Sequence, residues 1–290
     1  MRFRTVSVAG ILVLAAFASA QEKSSTTTSP HKVLVITREF VKPGRTGSTH
    51  EKTESAFVQA MAAAKWPTHY LAVDSITGKP RSLFFTAFDS FEAWEKDALA
   101  TQKNTGLSAA LEKAGYADGD LLSEMDGAAF AYREDLSLRP SADLPHMRYF
   151  EISRYQVRPG HSQEWDQLVK MVLAAYEKIP DTQWACYESA FGSREGTYLF
   201  FTPRKSAAEL DHAFAEGKQF AAAMGEDGMK KLGEMMSSSV SESESNLFSF
   251  NPRMSYVSDE WIQADADFWA PKSAVAVTHK KKGTTEAAKN

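Results

Sequence analysis

Two segments of this chain return at one fixed interval. Val41-Lys42-Pro43-Gly44 recurs as Val157-Arg158-Pro159-Gly160, and Leu83-Phe84-Phe85-Thr86 recurs as Leu199-Phe200-Phe201-Thr202, each 116 residues later. Arg38 and Arg154 keep the same spacing. Insertions and deletions between the anchors therefore cancel, which is the pattern of a duplicated structural unit. Whatever fold this chain adopts must be built twice from one plan.

The local pattern within each copy is the same. A strand candidate, Val33 to Val41 and again Tyr149 to Val157, ends at the Pro-Gly turn, where proline removes a ladder donor and glycine permits the bend. A helix follows. In the second copy Trp165, Leu168, Val169, Val172, Leu173 and Tyr176 form one apolar stripe behind an N-cap candidate, Ser162. The first copy offers Phe57, Val58 and Met61 and ends near Trp66-Pro67. Next come hairpins, Tyr70 to Ile76 with Leu83 to Phe88, and Trp184 to Phe191 with Thr197 to Thr202, joined by glycine-bearing connections. A second helix starts at Asp89-Ser90 or Lys205-Ser206, and a last strand is expected over Ala128 to Arg133 and Asn246 to Phe250. The order is β-α-β-β-α-β twice, the split βαβ unit.

The expected fold class is therefore α+β: two tandem ferredoxin-like repeats whose open sheet faces pair within the chain as a pseudo-dimeric α/β barrel. The repeats span 32–137 and 146–254, with 138–145 as linker. Residues 255–270, with Tyr256, Trp261, Phe268 and Trp269, are too aromatic for a free tail and are expected to pack on the barrel, over its mouth. Residues 271–290 read as a basic disordered tail. Association between copies is expected, if it occurs, through exposed strand edges.

The start, Met1-Arg2-Phe3-Arg4 followed by a short apolar run and Ala18-Ser19-Ala20, has the parts of a secretory signal peptide over 1–20, followed by a flexible linker over 21–31. The expectation is an exported protein, periplasmic or extracellular, with no stable membrane anchor after cleavage. Cys186 is the only cysteine, so no intramolecular disulfide supports the fold. It lies in a strand-like run and reads as a buried small hydrophobe. With 33 basic and 37 acidic residues the formal charge is −4, which gives no basis for nucleic-acid binding.

The chain resembles the dimeric α/β-barrel superfamily, in its NIPSNAP-like and antibiotic-biosynthesis-monooxygenase-like branches. The residues that carry this are Arg38-Glu39-Phe40-Val41-Lys42-Pro43-Gly44, Arg154-Tyr155-Gln156-Val157-Arg158-Pro159-Gly160, and the run from Leu83 through Asp89-Ser90 to Trp94. The resemblance covers roughly residues 32–254 and implies the fold; this superfold hosts unrelated functions. It also makes haem the first cofactor to weigh. Trp94 stands where haem-degrading members place a tryptophan, but Asn104 replaces the following histidine, and the first strand carries Thr37 and Arg38 in place of an asparagine. Chlorite-dismutase-like relatives bind haem through a histidine, for which His212 is the candidate; its sequence setting reads as an exposed helix position beside Glu209 and Glu216.

The histidines His31, His50, His69, His146, His161, His212 and His279 form no local pair at ligand spacing, so no metal and no cofactor are called for. No nucleophile elbow and no phosphate-cradling loop is present. The serine-rich Ser237 to Ser245 reads as a solvated connector. The remaining constellation is Arg38 and Arg154, placed by strand alternation on the same faces as Leu34, Ile36 and Phe40, and Phe150 and Ile152. A cation there needs an acceptor. One reading is an internal ion pair with Glu54 or Asp166. The other is a ligand site inside the barrel, formed by Arg38 and Arg154 with His69, Tyr70, Tyr132, Tyr155 and Tyr187.

Two functions follow. One is an exported module holding a small hydrophobic or anionic molecule between the sheets. The alternative is a cofactor-independent monooxygenase-like enzyme, which a histidine or asparagine converging on the pocket aromatics would favour. A haem protein or a purely structural domain comes after these.

Overall fold

The computed structural model describes residues 27–271. The signal peptide expected over 1–20, most of the 21–31 linker and all but the first residue of the basic tail lie outside the described residues. The first repeat consists of β1 (Val33–Val41), α1 (Ser48–Ala64), β2 (Tyr70–Ser75), β3 (Arg81–Phe88), α2 (Phe91–Lys103), α3 (Thr105–Gly119) and β4 (Leu122–Tyr132). The second consists of β5 (Tyr149–Val157), α4 (Ser162–Tyr176), β6 (Ala185–Phe191), β7 (Thr197–Arg204), α5 (Ala208–Ser239) and β8 (Val240–Phe250). Two short helices follow, α6 (Asp259–Ala264) and α7 (Ala266–Trp269). Gly44 and Gly160 both take positive φ, 77° and 85°, in the turns that end β1 and β5, so the repeated Pro-Gly pair does the same work twice.

Each repeat forms an antiparallel four-stranded unit, β4-β1-β3-β2 and β8-β5-β7-β6, and the two close into one eight-stranded barrel through a β2–β8 seam and a β4–β6 seam. Among the described residues closure leaves no free strand edge. This corrects the expectation that copies would associate through exposed edges, because both open sides of each sheet are consumed by the other repeat.

The second helix of each repeat is interrupted in both copies. In the first, Asn104 ends α2 and its side chain caps α3 by accepting from the Leu107 amide at 3.1 Å. In the second, Gly225 kinks α5 with φ 69°. The stretch from Ser237 to Ser245 is not a connector: it finishes α5 and supplies the first half of β8. Its alternation of Ser and Glu has the period of a strand with polar groups on both faces, and Glu242 and Glu244 meet Arg154 across the β5–β8 pair.

Alternation sorts the barrel strands into two faces. Leu34, Ile36, Leu71, Val73, Leu83, Phe85, Phe130, Phe150, Ile152, Leu199, Phe201, Phe248 and Phe250 fill the interior. Rings of Phe85, Phe150 and Phe201 meet edge to face at 5.5–6.0 Å, and Phe150 lies 4.8 Å from Phe250. Trp269, Trp261 and Phe268 pack against this cluster from the C-terminal helices, and Trp269 Nε1 donates to the Pro145 carbonyl at 2.7 Å. Beneath α4, on the outer face, a second cluster gathers Val157, Trp165, Leu168, Val169, Cys186 and Tyr198.

Candidate functional site

Among the described residues two places gather polar and titratable side chains, one at a mouth of the barrel and one under its helical layer. The aromatic plug does not reach the barrel end where β1 and β5 begin. There a cavity of about 450 Å³ remains, walled by Leu34, Leu71, Phe85, Phe150, Phe201, Tyr187, Trp184 and Trp261. Its polar lining includes His69, Gln183, and Thr28 and Ser29 from the segment before β1. Concave, mostly apolar walls with a few polar groups are the usual form of a small-molecule site.

His69 reaches this cavity because it immediately precedes β2, where the chain enters the sheet. Its ring stacks on Tyr256 with centroids 4.9 Å apart, and among the described residues it makes no hydrogen bond. Burial pushes the His69 pKa down, against a smaller upward pull from Asp259. A neutral imidazole with an open nitrogen can accept a proton.

The sequence-derived candidates divide between several places. His69 and Tyr187 line the mouth, whereas Tyr70 turns its ring outward against Phe84 and Met254 and is not a side chain of the interior. Tyr187 donates its hydroxyl to the His31 carbonyl at 3.1 Å, and Tyr132 stands beside it with ring centroids 5.4 Å apart. Arg38 and Arg154 do face inward, but at the opposite end of the barrel, beyond the plug. Arg38 holds Asp126 through two bonds of 2.5 and 2.6 Å, and Arg154 reaches Glu242 and Glu244 at 3.2 Å. The expected partners Glu54 and Asp166 are therefore wrong. Both belong to helices on the outer face, and Asp166 pairs with Arg133 instead. Tyr155 is not in the barrel interior either. It has the opposite parity to Arg154 and packs against Trp165 and Phe200 under α4.

The second place was not visible as a ligand set in the sequence. Glu39 of β1, His50 and Glu54 of α1 and Asp118 of α3 converge under the helices of the first repeat, and one ligand atom from each lies within 4.8 Å of all the others. They are 6%, 2%, 3% and 2% exposed. His50 Nε2 stands 3.1 Å from Glu39 Oε2 and 3.4 Å from Asp118 Oδ1. Its Nδ1 faces Ser82 Oγ at 3.4 Å, and Ser82 in turn donates to Asp74 at 2.5 Å. Asp74 also accepts from Asn251 at 2.7 Å. Burial alone would lower the His50 pKa, but the bond to Glu39 and the charges of Asp118, Glu39 and Asp74 outweigh it and raise it. Burial, then Glu39 and Asp118, push Glu54 up to about 10. Glu39 is raised by burial, with the His50 bond opposing.

The readable signal was the spacing of His50 and Glu54 at i, i+4 on a helix that must bury one face. The expected apolar stripe of Phe57, Val58 and Met61 is only half-buried, and the fully buried side chains of α1 are His50 and Glu54. Tyr70 begins β2 at the mouth, but its ring has the opposite parity to Leu71 and packs on Phe84 and Met254 under the helices. Its hydroxyl is buried without a hydrogen-bond partner and its pKa is raised by burial, then by Glu54 and Glu39.

Neither haem candidate of the sequence faces the barrel cavity. His212 is exposed on α5 and lines an outer polar groove with Glu209 and Glu216, away from the barrel interior. Trp94 is only half-buried on α2, a helix with no buried residue.

This architecture is that of the dimeric α/β barrels, with both halves in one chain. Among solved structures the chain is similar to an anthrone oxidase-like protein (TM-score 0.50, 13% identity, covering 78% of this chain and 94% of that one). It is also similar to a monooxygenase-class protein of Fusobacterium nucleatum (TM-score 0.49, 10% identity, 77% and 94% covered). A variant chlorite dismutase of Candidatus Nitrospira defluvii matches with TM-score 0.45 and 8% identity over 80% and 94% of the chains. At these identities the likeness concerns the fold alone. No protein-family profile and no curated protein matches the sequence.

Proposed function

We propose that the barrel mouth binds a small, planar, largely apolar molecule bearing an acidic O–H or C–H, and that His69 removes that proton so that the electron-rich anion reacts with molecular oxygen. One oxygen atom ends in the product carbonyl and the other leaves as water, as in conversion of an activated methylene to a ketone. The observation that carries this reading is a histidine at the edge of an aromatic-walled cavity whose ring has no hydrogen-bond partner among the described residues and whose pKa burial lowers. The aromatic walls exclude water from the reacting pair, and the imidazole supplies the base. The protein is proposed to act after export, as its N-terminal residues suggest.

The test is direct. Trp184 and Trp261 line the cavity, so tryptophan fluorescence reports occupancy while an oxygen electrode reports turnover. Anthrones, hydroquinones and naphthols are the panel. Oxygen uptake that is lost in His69→Gln while quenching persists supports the enzyme. Quenching without uptake in the wild-type protein leaves a binding module. No quenching by any member of the panel removes the mouth as a site for this class.

A further inference from the structure

We propose that Glu39, His50, Glu54 and Asp118 bind one divalent first-row metal ion, such as manganese, iron or zinc, that ties β1, α1 and α3 together. The site is separate from the mouth cavity and the inference does not depend on the activity proposed there.

The charge balance comes first. Three carboxylates of the tetrad, with Asp74 close behind, lie in a region that water does not reach, and among the described residues no lysine or arginine forms an ion pair with any of them. Buried charge of one sign needs a counter-charge, either protons or a cation. A divalent ion with a neutral imidazole brings the three ligand carboxylates to a residual charge of −1.

An unsatisfied atom then points to an occupant. Glu54 Oε1 is buried in the cluster without a hydrogen-bond partner, and the neighbouring Tyr70 hydroxyl is buried and unpartnered too. Native interiors seldom leave such groups unpaired. The imidazole is also set for ligation. Ser82 Oγ spends its proton on Asp74, so it can only accept from His50 Nδ1–H, which leaves the Nε2 lone pair for a metal. An outer partner that fixes the tautomer of a ligating histidine is a common feature of metal sites.

The spacing fits. Bonds of about 2.0–2.2 Å in a tetrahedral site put neighbouring donor atoms roughly 3.3–3.6 Å apart. His50 Nε2 is 3.1 and 3.4 Å from its two carboxylate neighbours, and the whole set contracts from within 4.8 Å by small side-chain rotations. One nitrogen and three carboxylate oxygens suit a borderline first-row ion. Four protein ligands with no open position make the site structural.

The second repeat serves as an internal control. By the 116-residue interval Glu39 corresponds to Tyr155 and Ser82 to Tyr198. Trp165 contacts both tyrosines, just as His50 contacts Glu39 and Ser82. Val169 follows Trp165 at the spacing of Glu54 after His50, and Met235 and Met236 of α5 close the cluster where α3 brings Asp118. The fold accepts an apolar filling at this place, so the polar set in the first repeat is not a requirement of the architecture.

The experiment uses the full chain dialysed against chelator and titrated with Mn2+, Zn2+ and Mg2+ by calorimetry, with melting temperature read in parallel. The expected result is one Zn2+ or Mn2+ per chain with a rise in melting temperature, because an ion that binds only the folded state stabilises it. Glu54→Gln and His50→Gln should each weaken binding by about tenfold or more, while Glu244→Gln at the barrel end leaves it unchanged. Absence of Zn2+ and Mn2+ binding, or binding undiminished in both tetrad variants, overturns the proposal. Circular dichroism checks that the variants fold. If they do not, the stripped wild-type protein decides alone: uptake with a raised melting temperature supports the site, and neither effect overturns it.

Discussion

Trp165 stands in the second repeat where His50 stands in the first. Each projects from the first helix of its repeat onto the same two strand positions, Tyr155 and Tyr198 around Trp165, Glu39 and Ser82 around His50. One copy of the duplicated unit therefore holds its helix to the sheet by aromatic packing, and the other by a buried polar network. The two halves have diverged in the kind of force that joins helix to sheet.

A first prediction concerns Trp165, which is 1% exposed at the centre of the outer cluster of the second repeat. Its Nε1 makes no hydrogen bond, so truncation removes packing alone. Trp165→Ala should cost about 3–5 kcal/mol, the range for emptying a buried aromatic position. Urea denaturation checks this, with an unchanged slope showing that the cost is in the native state.

A second prediction concerns pH. In the proposed reaction His69 serves as the base only when neutral, and burial lowers its pKa below the ordinary value of 6.5 while the Asp259 carboxylate pulls it up. Oxygen uptake should therefore rise with pH through a limb lying below 6.5 and then level off. Asp259→Asn removes the upward pull and should move that limb to lower pH. A pH–rate profile of kcat/KM for the two proteins measures the shift; a limb that stays in place would disconnect His69 from the rate.

Much of this fold was legible because its determinants are local and repeated. The two Pro-Gly turns, the Leu-Phe-Phe-Thr strands and the alternation that turned Arg38 and Arg154 inward all act over a few residues. What escaped depends on contacts between distant segments. Asp126 and Glu244 meet the arginines only through the β1–β4 and β5–β8 registers, whereas proximity along the chain points to acidic residues on the helices. Asp118 joins His50 only because α3 packs on α1, an arrangement with no mark in either segment. The Ser-Glu alternation of β8 was readable but looked solvated, since a strand polar on both faces mimics a connector.

A third prediction follows from Cys186, which is fully buried on β6 and whose thiol pKa burial pushes well up. Thiolate is the reactive form, so the native protein should not react with Ellman's reagent, even at mildly alkaline pH. Unfolding in guanidinium should release one thiol per chain, the single cysteine of the sequence. Reaction of the native protein at a rate comparable to the unfolded chain would mean that β6 opens locally, and with it the seam to β4.

The β4–β6 seam depends on a residue that cannot carry a side chain. Gly192 follows β6 with φ 76°, and a Cβ placed there would come within 2.3 Å of the Gly127 carbonyl oxygen and 2.9 Å of the Ala128 Cα. Both are backbone atoms of β4, so no side-chain rotation relieves the clash. Gly192→Ala must push the two strands apart and also pay for left-handed backbone in an L residue, about 1–2 kcal/mol by itself. The total loss should exceed about 2 kcal/mol, since separating the strands adds to that cost. Gly160→Ala is the matched comparison. Its φ is 85° but its Cβ would meet nothing within 4 Å, so it carries the conformational cost alone. If chemical denaturation finds the two variants equally destabilised, the steric contact between β4 and the end of β6 contributes nothing. A larger loss in Gly192→Ala locates the join between the two repeats at this close backbone approach.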